Sequence, residues 1–248
     1  MADQVKYKVF SRIVADSDLI AVELGDNWKN KIIKLTKENL ADYGQEHFTK
    51  LFNHEGFLVA ATWKEQLIGF TFYYWLDYSQ KNRKILDISL TVIDRNWQRK
   101  KVMTKIGILG YLQAWRQNKY RNFFLGFRTA NPVIYKNTIK YLQLWPNTEI
   151  KINPKSYQDV GRIISEFIDS RVNYDPEKMI AIKAYHDRLD MARQENYILR
   201  NTFKDPDGKI KKFFANSLNY KKGDAFIFTS KTNYKFLCLL GLARLTKF

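Results

Sequence analysis

Hydrophobic positions along the chain change their period several times, and each change predicts an element. Tyr7 to Val14 (YKVFSRIV) has the aromatic and β-branched content of a first strand. From Asp16 to Leu35, the residues Leu19, Ile20, Val22, Leu24, Trp28, Ile32 and Ile33 give a helical face that Gly25 interrupts. Thr36, with Asn39 three residues on, predicts a cap for a second helix. Leu40, Tyr43, Phe48, Leu51 and Phe52 follow at helical spacing until Gly56. The period then drops to two. Phe57 to Trp63, a turn at Lys64-Glu65-Gln66, and Leu67 to Tyr78 predict a long hairpin, with a polar turn from Ser79 to Lys84 after it. Ile85 to Ile93 is the next strand, with Leu86, Ile88, Leu90 and Val92 on one side and Asp87, Ser89 and Thr91 on an exposed face.

Beyond that strand the loop DRNWQRKK leads into a helix carrying Val102, Met103, Ile106, Leu109 and Leu112. A strand, a basic turn and a helix start make an anion seat, because unpaired N–H groups and the helix dipole both point into the turn. Arg121 to Arg128 reads as a strand. Asn131-Pro132 starts a helix through Val133, Ile134, Ile139, Tyr141 and Leu142, since Asn caps well and Pro is tolerated at the first helical position. Trp145-Pro146-Asn147 and Asn153-Pro154 punctuate the chain. Ser156 then predicts a cap for a helix through Ile168, and Asp175-Pro176-Glu177 opens another through Met191. Asp205-Pro206-Asp207-Gly208 is a turn, and Phe213–Leu218, Asp224–Thr229 and Tyr234–Leu242 read as closing strands. The expected fold is α+β: a mixed, mostly antiparallel central sheet flanked by helices, one domain over 1–248, with a helical insertion at about 155–200 before the last strands.

Composition narrows the classes. The chain has 248 residues, and its 45% hydrophobic and 15% aromatic content supplies a core, which excludes wholesale disorder. The net charge of +17 favours acidic partners. The one cysteine, Cys238, lies in an apolar run and has no partner for an internal disulfide. The three histidines, His47, His54 and His186, lack ligand spacing, so no metal site is expected. The N-terminal segment has no apolar signal core and no run is long enough to span a membrane, so a reducing cytoplasm is the expected compartment.

Two local motifs and the order of elements resemble the GNAT acyltransferase superfamily. The segment Ile93-Asp94-Arg95-Asn96-Trp97-Gln98-Arg99-Lys100-Lys101-Val102-Met103-Thr104 is similar to that family's acyl-CoA motif, commonly V-D-P-x-Y-Q-G-x-G-V-G-T. Asp94, Gln98, Val102 and Thr104 match, and Trp97 is a close substitute. Arg95, Arg99, Lys101 and Met103 stand where a proline and three glycines are usual. The segment Thr129 to Tyr135 resembles the family's Asn-led helix start, with Tyr135 four residues after Asn131 where seven is common. The resemblance covers roughly residues 5 to 145.

It implies transfer of an acyl group from a thioester to an amine by direct attack. Acyl-CoA, or a phosphopantetheine arm on an acidic acyl carrier protein, is the implied donor. A peptide or small-molecule amine is the implied acceptor. Asp87 stands where the family often has its general base, the N–H near Val92 would polarise the thioester carbonyl, and Tyr135 would protonate the leaving thiolate, with Tyr141 in reserve. Gln98, Arg99, Lys100, Lys101, Val102, Met103, Thr104 and Asn131 would hold the donor. The missing glycines are expected to crowd a pyrophosphate, and the cations to compensate by side-chain contacts. Phe70, Phe72, Tyr73, Tyr74, Trp75 and Tyr78 are either sheet core or, with Trp97 and Met103, the wall of a channel for a long acyl chain, at roughly 0.8 kcal/mol per buried CH₂. Two other classes remain open: a GNAT-like scaffold without activity, and a nucleic-acid-binding module. The second is disfavoured, because the cations are spread along the chain without a recognised motif.

Overall fold

In the computed structural model the described residues are 4–12, 24–40, 44–79, 83–119, 122–150, 152–185, 205 and 207–232. The fold is α+β, with a mixed, mostly antiparallel sheet flanked by helices. Eight strands run in the order β1-β2-β3-β4-β5-β8-β7-β6: β1 (Lys6–Arg12), β2 (Gly56–Trp63), β3 (Gln66–Tyr78), β4 (Arg83–Ile93), β5 (Phe124–Thr129), β6 (Asn173–Asp175), β7 (Ile180–Ile182) and β8 (Ala225–Lys231). Helices α1 (Asp26–Asn39) and α2 (Gly44–Asn53) fall between β1 and β2, and α3 (Val102–Gln117) between β4 and β5. Then come α4 (Pro132–Thr138), α5 (Lys155–Ile168) and α6 (Lys209–Ser217). The strand, two helices, three strands, helix, strand, helix order is the one the sequence pattern predicts. The chain divides into two compact units, Met1–Trp75 with Ile88–Arg121, and Leu76–Asp87 with Asn122–Phe248.

The first unit is built on β2 and β3. Their hairpin turns on two residues, Lys64 and Glu65, both left-handed (φ 47° and 64°), and Gln66 already belongs to β3. That turn matches the twist of the strands, although Asn-Gly would adopt it at lower cost. From Leu67 to Tyr74 every residue of β3 is buried, so this strand is covered on both faces and its aromatics are core. Phe57 stacks on Tyr73 at 4.7 Å, and Phe72 stacks on Tyr74 at 6.0 Å. Helix α3 packs here through Ile106, Gly110 and Ala114. A Cβ at Gly110 would run into the Tyr73 ring, whose hydroxyl donates to the Ile106 carbonyl at 3.2 Å. Thr36 does not cap a second helix. It lies inside α1 and donates back to the Ile32 carbonyl at 2.8 Å, while Gly25 is the N-cap of α1.

The second unit gathers phenylalanines around β8. Phe213 stacks on Phe226 at 4.7 Å, and Phe214, Phe228 and Tyr135 complete the cluster. Three expectations change here. Phe213–Leu218 is the end of a helix rather than a strand. Ile210, Phe213 and Phe214 are three and four residues apart, and the turn closed by Gly208 N–H to Asp205 carbonyl (3.0 Å) starts that helix. Asp175-Pro176-Glu177 opens a hairpin rather than a helix. The Asp175 carboxylate accepts from Lys178 N–H at 3.0 Å, Met179 is left-handed (φ 56°), and Ile180 pairs with Phe226. Helix α5 is capped by Pro154, so Ser156 sits in its first turn. The predicted strand Tyr234–Leu242, the residues before Leu24 in the first predicted helix, Cys238 and His186 lie outside the described residues, as does the side chain of His47. None of the described helices is long and apolar enough to cross a membrane.

Candidate functional site

The basic loop after β4 belongs to the first unit. The N–H of Asp94 donates to the Ile68 carbonyl at 2.9 Å, so the loop leaves the sheet from a fixed point. The Asp94 carboxylate accepts from Asn96 N–H at 2.8 Å and caps a single 3₁₀ turn, Arg95–Trp97. The Gln98 side-chain amide donates to the Ile93 carbonyl at 3.3 Å and folds the loop onto its strand. Asp94 and Gln98, which match the motif, therefore shape the loop from within.

The glycine positions behave unexpectedly. Arg99 (φ 66°) and Lys101 (φ 61°) both adopt the left-handed conformation that glycine takes without penalty. Each costs about 1 kcal/mol or more relative to glycine. At two of the three usual glycine positions the residue brings charge while keeping a left-handed backbone; the third, Met103, lies in the first turn of α3. Lys101 is also the N-cap of α3, where it makes no side-chain capping bond, and the first turn of α3 carries no acid. Cations at the positive end of a helix dipole repel it, and a bound anion relieves that repulsion. Arg99, Lys100, Lys101, Met103 and Thr104 are exposed; Val92 and Val102 are buried and anchor the two ends of the loop.

The second unit holds the acid. Asp87 was expected on an exposed face of its strand, and the structure corrects this: it is 0% exposed, with Ile85 and Leu86 beside it equally buried. The period-two pattern fails here because this end of β4 is covered on both faces. Neither Asp87 carboxylate oxygen has a hydrogen-bond partner among the described residues. Burial pushes its pKa from 3.8 up to about 7, and the positive charge of Arg128 holds the rise back. Arg128 lies on β5 with its Nη1 buried and also without a hydrogen-bond partner among the described residues. Its guanidinium stands over the Tyr185 ring at 4.9 Å, and the Tyr185 hydroxyl donates to the Arg128 carbonyl at 3.3 Å. Asp224, another buried acid, contrasts with Asp87, since its two oxygens accept from Lys183 N–H (3.1 Å) and Asn219 N–H (3.0 Å). Sequence reading missed Arg128 and Tyr185. A cation closing the apolar run NFFLGF was the available signal for Arg128; Tyr185 had none.

Asn131 caps α4 as expected, accepting from Val133 N–H at 2.9 Å, with Pro132 at the first helical position. Tyr135 is 1% exposed, within 4.8 to 5.9 Å of Phe213, Phe214 and Phe228. Its hydroxyl accepts from Thr148 N–H at 3.3 Å, and burial pushes its pKa up. Tyr141 is half exposed and borders a cavity of about 330 Å³ with Gln143, Tyr157 and Lys231. Asp87, Arg128, Tyr185 and Tyr135 thus share one unit, and the basic loop after β4 lies in the other.

No family model matches the chain, and no curated protein does. Solved structures are similar to it over about half its length. An aminoglycoside acetyltransferase from an uncultured soil metagenomic sample, in complex with sisomicin, is 19% identical, covering 55% of this chain and 84% of its own at a TM-score of 0.39. A GNAT family N-acetyltransferase of Escherichia coli in complex with CoA is 14% identical, covering 55% and 68% at 0.40. A ribosomal-protein-alanine N-acetyltransferase of Brucella melitensis biovar Abortus is 10% identical, covering 55% and 90% at 0.40.

Proposed function

We propose that the chain is an N-acyltransferase that moves an acyl group from a thioester to an amine of a peptide or small molecule. The observation that carries this reading is the loop after β4. Arg99 and Lys101 hold the left-handed backbone that the acyl-CoA motif otherwise obtains from glycine, at the start of a helix without acids. A loop drifting away from the motif would relax out of those conformations. Retaining them at a cost of about 1 kcal/mol or more each argues for a selected shape. The donor's phosphate is held by the N–H groups at the start of α3 and by Arg99, Lys100 and Lys101. The retained conformations support this reading over that of an inactive scaffold.

In the reaction, the amine nitrogen attacks the thioester carbonyl carbon, the C–S bond breaks, and the amine gives up one proton as the thiolate takes one. Asp87 is the proposed base, directly or through a water. With a pKa near 7 it is about half ionised at neutral pH, where a general base works best. Neither of its oxygens accepts a hydrogen bond among the described residues, which leaves them to take the amine proton. The N–H near Val92 polarises the carbonyl. Tyr135 is the proposed proton donor to the thiolate, because accepting from Thr148 N–H leaves its own proton to give. The donor is acyl-CoA or a carrier-linked phosphopantetheine thioester. The hairpin aromatics are packed against one another, so a channel for a long acyl chain would have to form from Trp97 and Met103 at the loop.

The test is a thermal-shift screen with acetyl-CoA, long-chain acyl-CoA and an acyl carrier protein, followed by thiol release from the donor that stabilises. Asp87→Asn should lower kcat at least ~100-fold and leave the donor's thermal shift unchanged. No shift with any donor would overturn the reading, and undiminished turnover would remove Asp87 from the mechanism.

A further inference from the structure

The donor loop does not stand alone on its unit. Trp97, in the 3₁₀ turn of the loop, packs against Trp63 at the end of β2, with ring centroids 5.5 Å apart and planes at 51°. This contact brings the tip of the β2–β3 hairpin beside the loop. The two tryptophans carry a lysine each: Lys64 Nζ lies 4.7 Å from the Trp63 ring, and Lys100 Nζ lies 4.8 Å from the Trp97 ring. Around them Lys64, Arg95, Arg99, Lys100 and Lys101 are all exposed. The acids among them are Glu65 and Asp94, and Asp94 is engaged by Asn96 N–H. Three of the five cations, Lys64, Arg99 and Lys101, occupy left-handed backbone positions. Positive charge is thus placed at positions where it carries a conformational cost, on two loops tied together by a tryptophan pair.

Lys64 and Arg95, both exposed, are not among the residues assigned to the donor's phosphate. We propose that this surface docks an acidic protein, and that the protein is the acyl carrier that delivers the thioester. The inference rests on the acyltransferase reading for the identity of the cargo. Carboxylates of a folded acidic partner match exposed ammonium and guanidinium groups spread over two loops, and the +17 chain steers such a partner at long range. The rings themselves argue against single-stranded nucleic acid. Binding of that kind offers open aromatic faces to bases, and here each tryptophan meets the other and carries a lysine. The pair works instead as a strut that fixes the relative position of the charges.

The experiment measures binding of an acyl carrier protein in its apo form, whose attachment serine carries no phosphopantetheine, so that neither the arm nor any chemistry contributes. The wild-type chain should bind it, and binding should weaken at least ~10-fold between about 50 and about 300 mM salt. The double variant Lys64→Glu, Arg95→Glu should weaken binding at least ~10-fold more at low salt, with Lys64→Gln, Arg95→Gln as a milder pair should the first unfold. Turnover of a small acyl-phosphopantetheine thioester should be the same in variant and wild type. Absence of apo-carrier binding overturns the proposal. So does an equal loss with carrier and small donor, or a single-stranded RNA that binds more tightly and displaces the carrier. Turnover of acyl-CoA without carrier binding defeats this proposal alone. Carrier binding without acyl transfer from any donor leaves the docking surface standing and defeats the acyltransferase reading.

Discussion

Replacing Asp87 by Asn should make the protein more stable, and increasingly so as pH rises. The carboxyl is fully buried, without a hydrogen-bond partner among the described residues, and its pKa is raised from 3.8 to about 7. In the unfolded chain this group loses its proton near 3.8. In the folded chain it keeps the proton until about 7. Between those values the unfolded state gains the solvation of a free carboxylate and the folded state does not, so wild-type stability falls by ~1.4 kcal/mol per pH unit. Across the window the loss is about 4 kcal/mol, an upper bound because water reaching the cluster softens it. Above pH 7 the difference levels off. Asn has nearly the same shape, cannot ionise, and escapes the whole effect. Against a typical total of 5–15 kcal/mol, the shift is large. Urea unfolding of both proteins from pH about 4 to about 8.5 reads it directly as the gap between the two stability curves. A gap that stays constant over this range would refute the reasoning. A wild type that gains on the variant as pH rises would show instead that Asp87 is ionised and paired with Arg128.

Four further outcomes follow from the same geometry. Arg128→Met removes the charge that restrains the Asp87 pKa, so the midpoint of the wild-type pH dependence, in stability and in kcat, should move up. Arg99→Gly with Lys101→Gly relieves two left-handed side chains and should stabilise the fold by about 1–2 kcal/mol in urea titration, while binding of the donor phosphate weakens in calorimetry. Tyr135→Phe keeps the ring in its cluster and loses the bond from Thr148 N–H. It should cost about 1 kcal/mol of stability and at least ~10-fold in kcat; a change in stability alone would make Tyr135 a packing residue. Gly110→Ala drives a methyl into the Tyr73 ring and should cost about 1–3 kcal/mol in thermal or urea unfolding.

Much of the fold was legible because long elements carry strong periods. The β2–β3 hairpin, the α3 helix and the Asn131-Pro132 helix start all rest on local chemistry, namely alternation, spacing, and a cap with a proline behind it. The misread elements are short or apolar on both sides. Phe213-Phe214 reads equally as strand or helix until Ile210 is placed on the same face. Asp175-Pro176 opens a helix as readily as a turn, and only the bond to Lys178 and the pairing of Ile180 with Phe226 decide it. The resemblance of the loop after β4 to an acyl-CoA motif was legible from Asp94, Gln98, Val102 and Thr104. The loop's missing glycines led to the expectation of a crowded pyrophosphate, and the structure shows Arg99 and Lys101 in left-handed conformations that glycine adopts without penalty.

The sequence by itself determined the order of elements, the basic loop between a strand and a helix, and the placing of one acid, Asp87, on the strand before it. These follow from neighbours in the chain, where periodicity and capping act. Tertiary structure decided whether that acid meets water. Alternation put Asp87 on a solvent face, but covering both faces of that end of β4 buried it, and Arg128 and Tyr185, 41 and 98 residues further along, became the groups that face its charge. The proton affinity of a carboxyl depends on how much water and which charges surround it in space. No spacing along the chain encodes that.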